Sequence, residues 1–384
     1  MKTAVLGYGT VGAGVYKMLL DAPGMEAGPV LVRPGKAVES FMVSDAALIF
    51  SDPTIDAVVE TLGGLDPAYS YGMRAIEAGK HFITANKALV AAHGPELSAA
   101  ARERGVAFLF SAACGGGVPF LHNLSLSAQT DRILSVSGIL NGTTNYMLDA
   151  MQRRGLSYAD ALGEAQSLGY AEADPSADVS GLDALRKIQL ACAVAFGLLP
   201  QSGMDCEGME HFSAADAEDI ASRDLVCRLI ASGGRAGSGV SAFVEPVLFP
   251  RSAPESSVLT NFNIARYSGE CCGSIALLGQ GAGRFPTASA VLRDLAAVQQ
   301  GERVMMPESC RAAVADNSET LRSYYIRIGS FAACRLPLRS VLAQGSSVRA
   351  VTEPMSVEKM HALAQNIRKD GTALFFAALE DTSC

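Results

Sequence analysis

A β-rich run over residues 2–7 passes directly into Gly7-Tyr8-Gly9-Thr10-Val11-Gly12 and then into a helical pattern over residues 15–20. A lone G-x-G-x-x-G says little. Set between an N-terminal strand and a helix, it prescribes the strand–turn–helix that binds a dinucleotide. Gly7 suits the tight turn, Gly9 lets backbone approach a pyrophosphate, and Gly12 lets helix and strand pack closely. The anion then rests on backbone N–H groups at the helix N-terminus, where the dipole favours negative charge. The competing reading is an ordinary tight turn.

The pattern around the fingerprint favours the dinucleotide. Further strands are predicted at 29–32, 57–60, 81–85 and 106–110, with helices at 68–78 and 95–104, which makes the first 125 residues an α/β unit with a parallel sheet. The chain then changes character. A strand is expected at 133–140, a helix at 146–153 and one long helix at 179–196, with the glycine-rich stretch 232–239 as a loop. A helix at 284–300 is expected to be capped by Thr287, and a small tail follows, with strands at 324–328 and 372–379 around a helix at 356–369. With 384 residues, the chain exceeds one core and implies two or three domains.

Composition narrows the partners. A formal charge of −8 with no local Lys/Arg cluster argues against nucleic acid. No apolar run approaches the roughly 20 residues that span a bilayer, and the N-terminus lacks a signal-peptide core, so neither membrane nor export is expected and the cytoplasm is. Nine cysteines without a C-x-x-C read as buried free thiols, and five scattered histidines form no metal-ligand spacing.

The nucleotide's identity depends on the end of the second strand. An acid about 20 residues beyond the fingerprint holds the ribose hydroxyls of NAD. Here Pro29-Val30-Leu31-Val32 runs into Arg33 and Lys36, with no acid until Glu39. Two cations suit a 2′-phosphate, so NADP is expected, with NAD as the alternative.

Three further segments set polar residues among glycines. Thr84-Ala85-Asn86-Lys87 closes a predicted parallel strand, the edge where open α/β sheets bind ligands, and so Lys87 is a candidate for facing them. Gly138 to Tyr146 contains the turn signal Asn141-Gly142, with Thr143 or Thr144 placed to cap a helix and backbone N–H groups available to a carboxylate. In Gly169-Tyr170-Ala171-Glu172-Ala173-Asp174-Pro175, Asp178 and Gly181 to Lys187, the pair Asp183 and Lys187 stands four apart on a helix. Leu190, Ala191 and Val194 continue the stripe from Lys187, whereas Arg186 and Gln189 point elsewhere. A lysine and an aspartate in line with an apolar face are costly unless paired and used, which favours a site over a solvated pair.

Together these segments resemble the homoserine dehydrogenase family. The shared set also includes Gly115-Gly116-Gly117-Val118-Pro119, Gly281-Ala282-Gly283 and Pro286-Thr287-Ala288-Ser289-Ala290, in family order over residues 1 to about 300. The resemblance implies an α/β fold in three parts. These are a Rossmann-type NADP-binding domain at 1–125 that the chain rejoins at about 280–302, a catalytic and dimerisation domain at 126–280, and a reduced ACT-like tail at 320–384. It implies reversible hydride transfer between NADPH and L-aspartate 4-semialdehyde, giving L-homoserine for threonine and methionine biosynthesis, in a homodimer or homotetramer.

By position the resemblance makes Lys187 the proton donor and Lys87 a second lysine at the reacting carbonyl and the cofactor. Glu172 and Asp183 would hold the substrate's ammonium and polar groups, with Asp178, Thr143 and Tyr170 beside them. Thr10, Val11, Arg33, Gly169 and Gly283 would join Gly7, Gly9 and Gly12 at the cofactor. Hydride addition leaves negative charge on the carbonyl oxygen, so a cation or proton donor must sit there.

Three features depart from the family. Ser111 stands where the family has a Glu that binds sodium with backbone carbonyls, matched here by Cys114, Gly116 and Val118. Hard cations prefer charged oxygen, so that site is in question. The segments between the first two strands and before Asp56 are short, and the loop after residue 328 is unrecognisable. A dehydrogenase of another small amino or hydroxy acid and a catalytically retired NADP-binding regulator remain the alternatives, and the presence of Glu172, Asp178, Asp183, Lys187 and Lys87 weighs against both.

Overall fold

The computed structural model describes residues 1–329 and 336–380. The chain divides into two compact units. The first comprises Met1–Ile133, Gln189–Leu199 and Ser268–Ala312, and the second comprises Leu134–Ile188, Pro200–Tyr267 and Ala313–Cys384.

Six parallel strands form the centre of the first unit: β1 (Lys2–Leu6), β2 (Glu26–Leu31), β3 (Met42–Val43), β4 (Ala57–Glu60), β5 (His81–Thr84) and β6 (Phe108–Leu109). Their order is 3-2-1-4-5-6, the doubly wound order of dinucleotide-binding sheets. Strands buried on both faces read as continuous apolar runs, and Ala4, Val5, Leu6, Val58, Val59, Phe82 and Ile83 are all fully buried. The expected strands 2–7, 57–60 and 81–85 hold, whereas β2 starts three residues before the expected 29 and β6 is only two residues long.

The helix expected at 95–104 starts much earlier and runs Lys87–Arg104, with Pro95 inside it. Asn86 makes this start possible, because its side chain accepts the Leu89 N–H. Helix Arg284–Gln299 also belongs to this unit and lies against helix Thr10–Leu19 so closely that a Cβ on Gly14 would sit 2.8 Å from Arg284 Cγ. Its N-cap is Gly283 with no side-chain cap, so Thr287 is inside the helix and does not cap it.

The second unit is built on a long sheet. Leu225–Ala236 and Gly239–Pro250 pair antiparallel along their full lengths, leaving only Gly237 and Ser238 in the turn. The expected loop at 232–239 is therefore mostly strand. A two-residue hairpin needs positive φ at its tip, which Gly237 supplies at +53°. Ile133–Ile139 pairs with one side of this hairpin, and Leu374–Leu379 runs parallel to the other. Tyr324–Gly329, Ser347–Thr352 and Leu338–Gln344 follow in that order, all antiparallel.

Helix Val357–Lys369 covers the tail strands, and Tyr324, Ile326, Ile328, Met360, Ala364, Ile367, Leu374 and Phe376 share one apolar cluster with Ile230, Val247 and Ile264. Arg368 forks onto both Glu207 oxygens at 2.7 and 2.8 Å, and Arg327 onto both Asp216 oxygens at 2.6 and 3.0 Å. The loop expected after residue 328 lies largely outside the described residues.

Where one helix was expected at 179–196 there are two, Ser176–Val179 and Leu182–Phe196. Gly181 separates them at φ +83°, a conformation no helix holds. Gln189, expected away from the apolar stripe, is buried with it at 6% exposure. Of the described cysteines, all seven are free, but only Cys114, Cys192 and Cys227 are buried, and Cys271 and Cys272 stand exposed in a turn. Cys384 lies outside the described residues. Among these residues no group of His, Cys, Asp or Glu could hold a metal ion, and no helix is long and apolar enough to cross a membrane.

Candidate active site

In the first unit, the fingerprint follows β1 directly. Gly7 takes φ +98°, and a Cβ on Gly12 would lie 2.1 Å from the Gly7 carbonyl oxygen, so both positions exclude side chains. A Cβ on Gly9, by contrast, would meet nothing within 4 Å. Gly9 is the N-cap of helix Thr10–Leu19, which has no side-chain cap and no acid in its first turn. The helix N-terminus with Thr10 and Val11 thus faces open space without a resident carboxylate, and this fits an anionic pyrophosphate. Arg33 and Lys36 are exposed just beyond β2.

The ends of β4 and β5 carry a second polar group. Glu60 is fully buried, and its carboxylate accepts the Leu62 and Gly63 N–H groups at 2.6 and 3.1 Å and the Thr84 hydroxyl at 2.5 Å. Thr84 Oγ1 accepts the Asn86 N–H at 2.9 Å, and Asn86 Nδ2 donates to the Gly64 carbonyl at 2.6 Å. Lys87, the first residue of its helix, is half-buried at this edge. Sequence reasoning missed Glu60; an acid closing the apolar run Ala57-Val58-Val59 was the available signal.

The second unit holds the Asp183–Lys187 pair. Lys187 Nζ lies 2.7 Å from Asp183 Oδ2 and donates to the Leu140 carbonyl at 2.6 Å, with both residues 9% exposed. Asn141 Nδ2 donates to Asp183 Oδ2 at 2.9 Å and to Asp178 Oδ1 at 2.7 Å. Burial pushes the Asp178 carboxyl above the usual range and the Asp183 charge adds to the shift, while the Asn141 amide and Lys187 oppose it.

Asn141 also caps helix Gly142–Arg154 by accepting the Thr144 N–H at 2.9 Å, so neither Thr143 nor Thr144 is the cap. Asn141-Gly142 is therefore a cap as well as a turn signal, in keeping with the rank of asparagine above threonine as a cap. Thr143 Oγ1 instead donates to the Tyr170 carbonyl at 2.6 Å. The half-exposed Tyr170 ring lies 5.1 Å from that of Tyr146.

Asp178, Asp183, Lys187, Thr143 and Tyr170 are thus brought together in one unit. Glu172 is exposed, and its carboxylate takes no part in these hydrogen bonds. Gly169, at φ +74°, follows helix Tyr158–Ser167 in the second unit, and Gly283, at φ +122°, opens helix Arg284–Gln299 in the first.

The residues expected around sodium fit it poorly. Ser111 brings a neutral hydroxyl, and the Val118 carbonyl already accepts the Phe120 N–H at 2.8 Å. Cys114 is buried, and Gly116 is held so tightly that a Cβ would lie 2.4 Å from the Gly281 carbonyl oxygen. The carboxylate at hand is the fully buried Asp294, which accepts the Ser111 N–H at 2.9 Å. Burial pushes its carboxyl up to about 7, so it is a weak anion at neutral pH.

Comparison with known proteins agrees with this geometry. Residues 119–296 match the family model described as homoserine dehydrogenase, and residues 7–111 match the one described as homoserine dehydrogenase, NAD binding domain. The homoserine dehydrogenase of Synechocystis sp. is 40% identical over 319 residues, covering 77% of this chain and 72% of its own. That of Corynebacterium glutamicum is 37% identical over 383 residues, covering 91% and 85%. The crystal structure of a homoserine dehydrogenase from Thiobacillus denitrificans superimposes with a TM-score of 0.87 at 29% identity, covering 99% of this chain and 98% of that one. With a dinucleotide turn on one unit and a buried lysine–aspartate pair on the other, the chain belongs to the homoserine dehydrogenase family, oxidoreductases that act on a CH–OH group with a nicotinamide cofactor.

Proposed function

We propose that the chain interconverts L-homoserine and L-aspartate 4-semialdehyde with NADP, and that Lys187 moves the proton. The observation that carries this reading is the Lys187 ammonium, nearly buried and fixed between Asp183 Oδ2 and the Leu140 carbonyl oxygen. Reduction converts the C=O π bond into a C–H bond and an O–H bond. Lys187 Nζ gives the proton that completes the O–H, and takes it back in the oxidative direction. A cation beside the oxygen also stabilises the charge that develops there, and in the family likeness Lys87 is the second such cation.

Gly7, Gly9, Thr10, Val11, Gly12, Arg33, Lys87, Gly169 and Gly283 are the residues that would hold the cofactor, whose chemistry when bound is donation or acceptance of the hydride. Glu172 and Asp183 serve the substrate ammonium, with Asp178, Thr143 and Tyr170 beside them. A monovalent cation enters no step. The exposed Arg33 and Lys36 support NADP over NAD. The tail at 320–384 reads as a reduced ACT-like domain, supported by its strand order. A homodimer or homotetramer follows the family likeness, and seven free cysteines among the described residues suit the reducing cytoplasm.

The test is the initial rate of homoserine-dependent NADP⁺ and NAD⁺ reduction at alkaline pH, for the unaltered chain and for Arg33→Ala. NADP⁺ is expected to be preferred, and Arg33→Ala to lower that preference about tenfold, as removal of a charge-assisted hydrogen bond does. Preference for NAD⁺ would overturn the cofactor assignment. Reduction of neither, in folded protein, would overturn the substrate.

A further inference from the structure

The Asp183–Lys187 pair is bonded by Leu140 and Asn141, two residues adjacent in sequence. The Leu140 carbonyl accepts from Lys187, and the Asn141 amide donates to Asp183 Oδ2, the same oxygen that meets the ammonium. We propose that Asn141 is a positioning residue for the reaction: its one amide bridges Asp178 and Asp183 and fixes the carboxylate that holds Lys187. This rests on the reading of Lys187 as proton donor.

The amide has only one workable orientation. Carboxylates accept and do not donate, so Nδ2 must face Asp178 Oδ1, at 2.7 Å, and Asp183 Oδ2, at 2.9 Å. The Thr144 backbone N–H only donates, so Oδ1 must face it, at 2.9 Å, and the Thr144 hydroxyl is 3.1 Å from the same oxygen. A flipped amide would set its oxygen against two carboxylate oxygens. Asn141 is 4% exposed, so solvent replaces none of these bonds.

One side chain thereby joins three helices: Gly142–Arg154, which it caps, Ser176–Val179, which carries Asp178, and Leu182–Phe196, which carries Asp183 and Lys187. Two carboxylates this close repel, and an N–H to each offsets part of that repulsion. Without the bridge, the Asp183 carboxylate loses one of the bonds that set it, and the ammonium it holds is aligned less closely. The charged groups concerned are Asp178, Asp183 and Lys187; Thr143 and the Tyr170 carbonyl close the same loop as neutral groups.

A cap and a bridge are separable by mutation. Asn141→Ser retains a good N-cap acceptor but has no amide to span two carboxylates. Its kcat is expected to fall about 10- to 100-fold, with NADPH affinity near that of the unaltered protein and a Tm only a few degrees lower. Because lost N–H donors make carboxylates easier to protonate, the acid limb of its kcat/KM profile should move to higher pH.

Activity within twofold of the unaltered protein would overturn the inference. So would a loss of activity with the acid limb unmoved, since that describes a structural role alone. Should Asn141→Ser fail to fold, Asn141→Thr keeps a neutral cap acceptor, fills more of the space and removes the amide donors, and is read the same way. Lys187→Ala separates the two levels. If it stays active, the proton-donor reading fails; if it is inactive while Asn141→Ser is not, only the role of Asn141 fails.

Discussion

The glycine turn of the first unit and the polar junction of the second are built on opposite principles. At the turn, Gly7, Gly9 and Gly12 act by what they lack: Gly7 takes a φ of +98° that a side chain strains, Gly12 has no room for a Cβ, and Gly9 faces open space. At the junction, Asn141, Asp178, Asp183 and Lys187 act by hydrogen bonds at 2.6–2.9 Å between segments far apart in sequence. Backbone shape alone prepares the first region for an anion, whereas the second exists only when three helices have docked. Changes at the turn should therefore act through binding and stability, and changes at the junction through turnover.

The largest effect is expected at the junction. Lys187→Ala should lower turnover about 10²- to 10⁴-fold, the usual general-acid contribution, in steady-state rates with saturating NADPH and aldehyde. A variant within threefold would remove Lys187 from the mechanism. The effect should also far exceed any change in melting temperature, since a mechanistic loss needs no unfolding.

Next comes a pH effect in the first unit, away from the junction. The Asp294 carboxyl titrates near 7 when folded and near 3.9 when unfolded, because burial disfavours its charge. A raised folded value means that its favourable contribution is complete below about pH 4 and lost as the pH rises through 7. Over that window the loss amounts to roughly 4 kcal/mol. Urea unfolding between pH 4 and 8 should show the decline, and Asp294→Asn should flatten it. An unchanged slope in that variant would place the titration elsewhere.

Gly12→Ala should have the smallest of the three effects. Its Cβ must push the Gly7 carbonyl oxygen away from 2.1 Å, an overpacking cost of about 1–3 kcal/mol. Thermal unfolding and NADPH titration should both weaken while turnover at saturating cofactor falls far less than in Lys187→Ala. Equal losses of turnover in the two variants would dissolve the contrast between the regions.

The same contrast explains what was legible in the sequence. Strand 57–60 and the fingerprint were readable because alternation of apolar runs with glycines is local information. The Asp183–Lys187 pair was readable because i,i+4 spacing on an apolar stripe is local too. The capping role of Asn141 toward Thr144 was within local reach, but its bridging role was not, since Asp178 and Asp183 are about 40 residues away in the chain. The stretch 232–239 misled because glycine and serine signal loops, while in the fold ladder pairing with Gly239–Pro250 overrides that preference. Helix 87–104 was cut short because Pro95 reads as a start, yet its missing N–H is tolerated within an 18-residue helix.

The most direct test of the central claim is NADPH affinity measured on Lys187→Ala protein, by fluorescence titration beside its turnover. If the cofactor-holding turn and the proton-moving junction are separate devices, the affinity will match that of the unaltered protein while turnover falls at least a hundredfold. An affinity that falls in proportion to turnover would contradict the account and make Lys187 a part of the cofactor site.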